Sequence, residues 1–439
     1  MDPILRRQFL AASAAALPGF FNVRDYGVAG DGRQLNTKAL QRAVDACAAG
    51  GGGVVYFPPG RYLTGAIYLK SNVTLHLETG AVLLGSKNLQ DYPATVPAFR
   101  SYTDNYTEKS LIYGEKVENV AIEGRGVLDG QGAAFKGPYK VRPYLIRVIS
   151  SKNISVTGVT IQDSPMWVQH YLDCDNVAIR GITVSSRCNQ NNDGIDIDSS
   201  SRVRISDCDI SSGDDAIVLK SASARPCRDV VITNCVLSTA CNALKMGTES
   251  NGGFENIAIS NCSIYDTRLA GIALEIVDGG LMDRVSVSNI TMSNVGCPVF
   301  VRLGNRARPF KEGMEKPGIG RLRNVLISNV QASGANKVGC SITGSPGRPV
   351  ENITLDHIRI EFTGGGTLED ARSQVPENPD KYPEYAMFGV LPAYGFYCRH
   401  ARNITFDHVE TSVVRPDQRP PLVSEDVEGL RQHPAAVLP

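Results

Sequence analysis

The sequence predicts an all-β solenoid, a single-stranded parallel β-helix with a short N-terminal capping helix, and three observations predict it. A motif of alternating apolar residues recurs along the chain, with first apolar positions at Ile154, Val177, Val203, Val230, Ile257, Val285, Val325, Ile353 and Ile404. Alternation of period two marks strands with one buried face. The successive spacings are 23, 26, 27, 27, 28, 40, 28 and 51 residues, and a period in the twenties with longer gaps for loops is that of stacked coils. Finally, Asp207, Asn234, Asn261, Asn289 and Asn329 stand at one point of successive repeats. Side chains of this type satisfy local backbone groups, so a stack of them is expected to bond the turn backbone of neighbouring coils. The Asn-Ile-Thr and Asn-Cys-Ser triplets read as part of this repeat grammar rather than as glycosylation sites.

Taken in order, residues 1–20 carry Arg6-Arg7 followed by a short Ala-rich apolar run, the pattern of a twin-arginine export signal. The expected location is therefore the periplasm or the cell exterior. Residues 21–439 form one elongated repeat unit, since coils that stack only on their neighbours need no division into globular domains. A helix is expected over residues 36–48, with Asn36 as N-cap and Leu40, Ala43, Val44 and Cys47 on one face. Such a helix would cover the open apolar end of the solenoid. Residues 311–320 and 364–385, rich in Gly, Pro and charge, interrupt the repeat as loops, and long loops on one side of a solenoid wall its binding face.

Lys+Arg and Asp+Glu balance at 45 each, which excludes the basic footprint of a nucleic-acid partner. No apolar run is long enough to span a bilayer, and a monomer is expected. The chain has 11 Cys, an odd number that argues against a fully paired framework. Cys208, Cys235 and Cys262 recur at intervals of 27 and read as an interior stack of small apolar side chains. No Cys-x-x-Cys pair points to a metal cluster, and no cofactor is expected.

Two acidic clusters carry the chemistry: residues 191–198, containing Asp193, Asp196 and Asp198, and residues 213–215, containing Asp214 and Asp215. Asp193 and Asp215 lie 22 residues apart, about one coil, so stacking brings them together. Converging carboxylates suit glycosidic cleavage, one protonated to act on the leaving oxygen and another ionised to activate water. Gly213 permits a turn that turns both Asp214 and Asp215 toward one groove, and like charges held close favour retention of one proton. Strand alternation buries Ile195 and Ile197 and presents Asp196, Asp198, Lys220, Lys245 and Glu275 on the outward face. Trp167, the single Trp, shares strand parity with Gln169 and Tyr171; it either stacks on a sugar ring or is a half-buried coil residue. His170 lies on the opposite parity and reads as a hydrogen-bonded structural histidine.

The stretch 191–195, with Asn192 where the family motif has Thr, and Gly213-Asp214-Asp215 resemble glycoside hydrolase family 28, the polygalacturonases and rhamnogalacturonan hydrolases. Residues 21–27, Gly51-Gly52-Gly53 and residues 57–60 resemble that family's N-terminal cap, and the likeness spans roughly residues 21–410. The resemblance implies a right-handed, pectin-lyase-like β-helix and an inverting hydrolase of pectic polysaccharide or oligosaccharide. Asp214 would be the general acid, with Asp193 and Asp215 activating water. Two family motifs are replaced: Cys241-Asn242-Ala243 stands for Gly-His-Gly, and Ala273-Leu274-Glu275 for Arg-Ile-Lys. Glu275 in place of a Lys would repel a uronate, which favours rhamnogalacturonan-type or decorated pectins over plain homogalacturonan. Asn242, Lys220, Lys245, Arg302 and Arg306 are left as candidate substrate contacts. The rival readings are a pectate-lyase-like enzyme, whose calcium the acidic cluster could ligate, and a non-enzymatic β-helical glycan-binding protein.

Overall fold

The structure is a computed structural model and describes residues 19–433. The export signal read over residues 1–20 lies almost wholly outside the described residues. Among the described residues thirty strands pair coil upon coil in parallel to form a right-handed β-helix. In the middle coils each turn passes through three short strands. Asp175–Arg180, Thr183–Ser186 and Ile195–Asp198 make one coil, and Ser201–Ser206, Asp209–Ser212 and Ile217–Ser221 make the next. Further on the bends tighten, and the single strands Phe254–Ile276 and Leu281–Leu303 each run through all three faces.

The register follows the apolar repeat. Val177, Val203, Val230 and Ile257 pair in succession, as do Ile195, Ile217, Leu244 and Ile272. All eight are buried in one continuous core. Burying a Val, Leu or Ile side chain contributes about 1.5–3 kcal/mol, so stability is spread along the axis. Cys208, Cys235 and Cys262 are buried in that core, and each thiol donates to the carbonyl two residues earlier at 3.2–3.3 Å.

The polar stacks work differently from the expected bonding to turn backbone. Asn153 donates its side-chain amide to Asn119 Oδ1 at 2.9 Å and Asn176 to Asn153 Oδ1 at 2.8 Å. At the second bend Asn289 bonds Asn261 at 3.0 Å and Asn329 bonds Asn289 at 3.2 Å. The side chains therefore bond one another in amide ladders. The backbone explains the residue choice: Asn153, Asn176, Asn261, Asn289 and Asn329 have φ of 55°, 58°, 55°, 55° and 52°, a left-handed conformation that Asn tolerates better than other non-Gly residues. Asn153→Ala should cost about 1–2 kcal/mol from the backbone alone, and Asn153→Gly less, as read by urea unfolding; equal stability of the two variants would remove the backbone explanation.

The helix Thr37–Ala49 buries Leu40, Ala43, Val44 and Cys47, as expected. Asn36 does not cap it with its side chain. Its carboxamide instead accepts from Ala29 N and donates to the carbonyls of Ala29 and Gln34 at 2.8–2.9 Å, tying down the preceding loop. No helix among the described residues is long and apolar enough to cross a membrane.

Candidate active site

The face built from Gln169–Leu172, Ile195–Asp198, Ile217–Ser221 and Leu244–Ser250 carries the acidic clusters. Asp193 and Asp215 come together because the Gly194 N–H donates to the Asp215 carbonyl at 2.9 Å. A Cβ at Gly194 would lie 2.5 Å from the Ala216 carbonyl oxygen, so this close approach of two coils requires glycine. Asp214 and Asp215 sit in a bend ahead of the next strand, not in it, which frees both from strand alternation. The Asp215 N–H donates to Asp214 Oδ1 at 2.9 Å.

Two lysines organise the carboxylates. Lys220 Nζ lies 3.7 Å from Asp193, 3.5 Å from Asp196 and 3.5 Å from Glu249, and 4.6 Å over the Trp167 ring. Lys245 Nζ lies 3.1 Å from Asp215 Oδ2 and 3.9 Å from Glu275. Asn242 donates to Asp215 Oδ1 from both its backbone N–H, at 3.1 Å, and its side chain, at 2.8 Å.

These surroundings drive the acids in opposite directions. Burial, then the charge of Asp215, raises Asp214. Burial pushes Asp215 up too, but Lys245, Lys220 and the Asn242 amide outweigh it and hold Asp215 below the ordinary carboxylate range. Burial, followed by the charges of Asp196 and Asp214, raises Asp193 well above that range. Asp193 Oδ1 and both carboxylate oxygens of Asp196 have no hydrogen-bond partner, and Lys220 is the cation beside both groups. Asp214, Asp215 and Cys241 bring ligand atoms within 4.8 Å of one another, but the Lys245 ammonium beside Asp215 places a positive charge where a cation would sit.

Several predicted contacts stand elsewhere. Asp198 has outward parity but is fully buried, where it accepts from His170 Nε2 at 3.2 Å, Ser199 Oγ at 2.9 Å and the Ala222 N–H at 2.8 Å; these bonds take it up and it is not open to substrate. Burial lowers the His170 imidazole to about 4, consistent with a structural role. Arg302 is buried and donates to Thr343 Oγ1 and to the carbonyls of Gly344, Glu377 and Asn378. It anchors a loop, and both terminal nitrogens are taken up by these bonds. Arg306 makes a two-pronged ion pair with Asp278. Glu275 is 0% exposed, with both oxygens lacking hydrogen-bond donors, and burial raises its carboxyl far up. It lies beneath Lys245 and cannot repel a uronate from the groove as a free anion. Trp167 does not share a face with Gln169 and Tyr171, which turn inward and bond each other at 3.0 Å; it precedes the strand and lies 5.1 Å from His170 on the outside.

Other residues of the site escape the sequence reading. Glu249 joins Lys220 to Arg308 at 2.7 Å, and its alternation parity with Lys245 was a signal available to find it. Tyr106, which donates to Glu249 at 3.3 Å, comes from a bend, Tyr139 from the 3-10 helix Tyr139–Val141, and Tyr382 and Glu384 from the 364–385 stretch expected as a wall; none carries a periodic signal of its own. Burial and the charges of Asp215 and Asp214 raise Glu384 to about 7 against the opposing pull of Lys245.

Residues 58–379 match the model of glycosyl hydrolases family 28. The chain belongs to this family. It is 30% identical over 365 residues to a probable polygalacturonase of Vitis vinifera, covering 77% of this chain and 73% of that one. The exopolygalacturonase of Thermotoga maritima superposes with a TM-score of 0.69 at 26% identity, covering 79% of this chain and 88% of that one. The family 28 exopolygalacturonase of Yersinia enterocolitica, at 20% identity, gives a TM-score of 0.75 over 95% of this chain and 79% of its own, a likeness of fold. Membership makes the chain a glycoside hydrolase and removes the lyase and the non-enzymatic binding protein as readings.

Proposed function

We propose that this glycoside hydrolase cleaves galacturonate-containing pectic glycans with inversion, Asp214 acting as general acid and Asp193 with Asp215 activating water. The observation that carries the roles is that Lys245 and both Asn242 donors hold Asp215 and favour its anion, while burial and the charge of Asp215 raise its neighbour Asp214. Groups pushed apart in this way divide into a proton donor and an ionised partner. The names of the relatives support the substrate class. Burial of Glu275 takes away the charge argument for preferring rhamnogalacturonan, so oligogalacturonate is the expected substrate. The test is a panel of oligogalacturonates and rhamnogalacturonan oligosaccharides, with products identified by mass and the first-formed anomer by proton NMR. Unsaturated products, net retention, or cleavage of rhamnogalacturonan alone would each overturn part of the reading.

The pH profile follows from the same displacements. Activity needs Asp214 protonated, so it should fall as pH rises through the raised Asp214 value. It needs Asp215 ionised to take the proton of the water, with Asp193, raised well above the ordinary range, holding that water in place, so it should fall as pH drops through the lowered Asp215 value. Lys245→Met removes the leading influence that holds Asp215 down and should move the acid limb of kcat/KM upward in pH; an unmoved acid limb would dissociate that limb from Asp215.

A further inference from the structure

A polymer lying beside Asp193, Asp214 and Asp215 would run along the outward face of the catalytic sheet, crossing one coil after another. That face is covered on both flanks. On the N-terminal side it presents Arg147, Ile149, His170 and Leu172, each no more than 1% exposed. Residues 99–107 lie over them: Arg147 donates to the Thr107 carbonyl at 3.1 Å and to Thr103 Oγ1 at 3.3 Å, and Phe99 packs on Tyr113, Ile149 and Leu172. The cover is carried on to the catalytic coil, where the Tyr102 N–H donates to the Ala222 carbonyl at 2.8 Å and Arg308 lies 4.0 Å over the Tyr102 ring.

On the C-terminal side the face presents Phe300, Arg302, Thr343 and Arg399, each no more than 5% exposed. Residues 375–388 close over these. Arg399 donates to the carbonyls of Val375 at 2.7 Å and Pro376 at 3.0 Å, and Arg302 to that of Glu377 at 2.8 Å. The Phe388 ring lies against both guanidinium groups, at 5.3 and 6.0 Å. Lifting this loop would strip two buried cations of hydrogen-bond acceptors, a cost that fixes it as a wall. Its tip brings Tyr382 OH to 3.3 Å from Lys245 Nζ. Strands stack roughly 4.8 Å apart, a spacing comparable to a sugar ring, so covering several coils on each flank removes the room that several consecutive sugars would need.

We infer that the site is a pocket that admits a chain end or a short oligosaccharide, and that the enzyme removes short products of one size from pectic chains instead of cutting them internally. The inference rests on the pectic reading given above. Residues 99–107 and 375–388 are the specificity-determining walls, and Tyr382 is the side chain of the second wall that faces the ligand.

The experiment follows polygalacturonate digestion by viscosity, reducing ends and product mass in the same samples. Viscosity should stay nearly constant while a single short product accumulates. A ladder of intermediate lengths with early viscosity collapse would overturn the pocket and leave pectic hydrolysis standing. Refusal of every pectic polymer and oligosaccharide would overturn both. Binding to Asp214→Asn gives a second readout: one protein per chain at every oligogalacturonate length supports the pocket, and several proteins on one long chain overturns it. Tyr382 is 52% exposed, so Tyr382→Ala should fold normally and raise KM for short oligosaccharides several-fold; an unchanged KM would overturn its place in the wall.

Discussion

Asp214→Asn should lower kcat by about 10²–10⁴, the span typical of losing a positioned proton donor, while leaving the unfolding midpoint close to that of the parent. The amide preserves the size of the side chain and its oxygen can still accept the Asp215 N–H that Asp214 Oδ1 now accepts at 2.9 Å. What it cannot do is deliver a proton to a leaving oxygen. The same change at Asp215 tests the partner role and carries a different structural signature. Asp215 is held by Lys245 and twice by Asn242, so Asp215→Asn removes the charge that Lys245 answers. Activity should fall in both variants, but only Asp215→Asn should also lower stability measurably. Near-normal turnover in Asp214→Asn with unchanged unfolding would remove it as the acid. A substrate with a leaving group that needs no protonation sharpens the test, because such a substrate should recover much of the activity lost in Asp214→Asn and little of that lost in Asp215→Asn.

The legible part of this molecule is the part governed by period. Ile154 to Ile404 mark the coils because a strand buried on one face must alternate, and stacking then follows from the spacing. The meeting of Asp193 with Asp214 and Asp215 was legible for the same reason, since a separation of about one coil becomes adjacency when coils stack. Alternation misleads where a turn intrudes. Trp167 lies before the strand Gln169–Leu172, so its direction is set by the preceding turn and not by the parity of that strand. Asp198 has the outward parity expected of it, and Arg302, paired in register with Glu275, shares it, but parity gives direction and not contacts. A loop from 75 residues away satisfies Arg302, and a histidine from the preceding coil takes Asp198. The left-handed φ of the ladder asparagines has a sequence signature, recurrent Asn, but the amide-to-amide bonding depends on coil spacing that the sequence does not state. Tyr106, Tyr382 and Glu384 reach the site by loop paths with no repeat to read.

Lys220→Met should destabilise the fold by about 3–5 kcal/mol, the cost of breaking a buried ion pair by removing one partner. The methionine retains much of the apolar stem, so the loss is the charge, which lies 4.6 Å over the Trp167 ring. Lys220 stands among Asp193, Asp196 and Glu249 at 3.5–3.7 Å, and among these Glu249 alone has a second cation, Arg308, at 2.7 Å. Without the ammonium, Asp193 and Asp196, already raised well above the ordinary range by burial, would rise further and take up protons on folding. The pH dependence follows by sign. Groups whose folded pKa lies above the unfolded one bind more protons when folded, so stability gains as pH falls. The deficit of Lys220→Met relative to the parent should therefore be largest near neutrality and shrink on acidification as Asp193 and Asp196 protonate. Glu249 acts in the opposite sense: Lys220 and Arg308 hold it low against burial, so its contribution in the parent is present above the unfolded pKa and lost as pH falls through the folded one. Both trends narrow the gap between the proteins in acid. Urea unfolding of the two proteins across pH 4–8 reads the difference directly, and a deficit that is constant across that range would show that the lysine is held for packing and not for its charge.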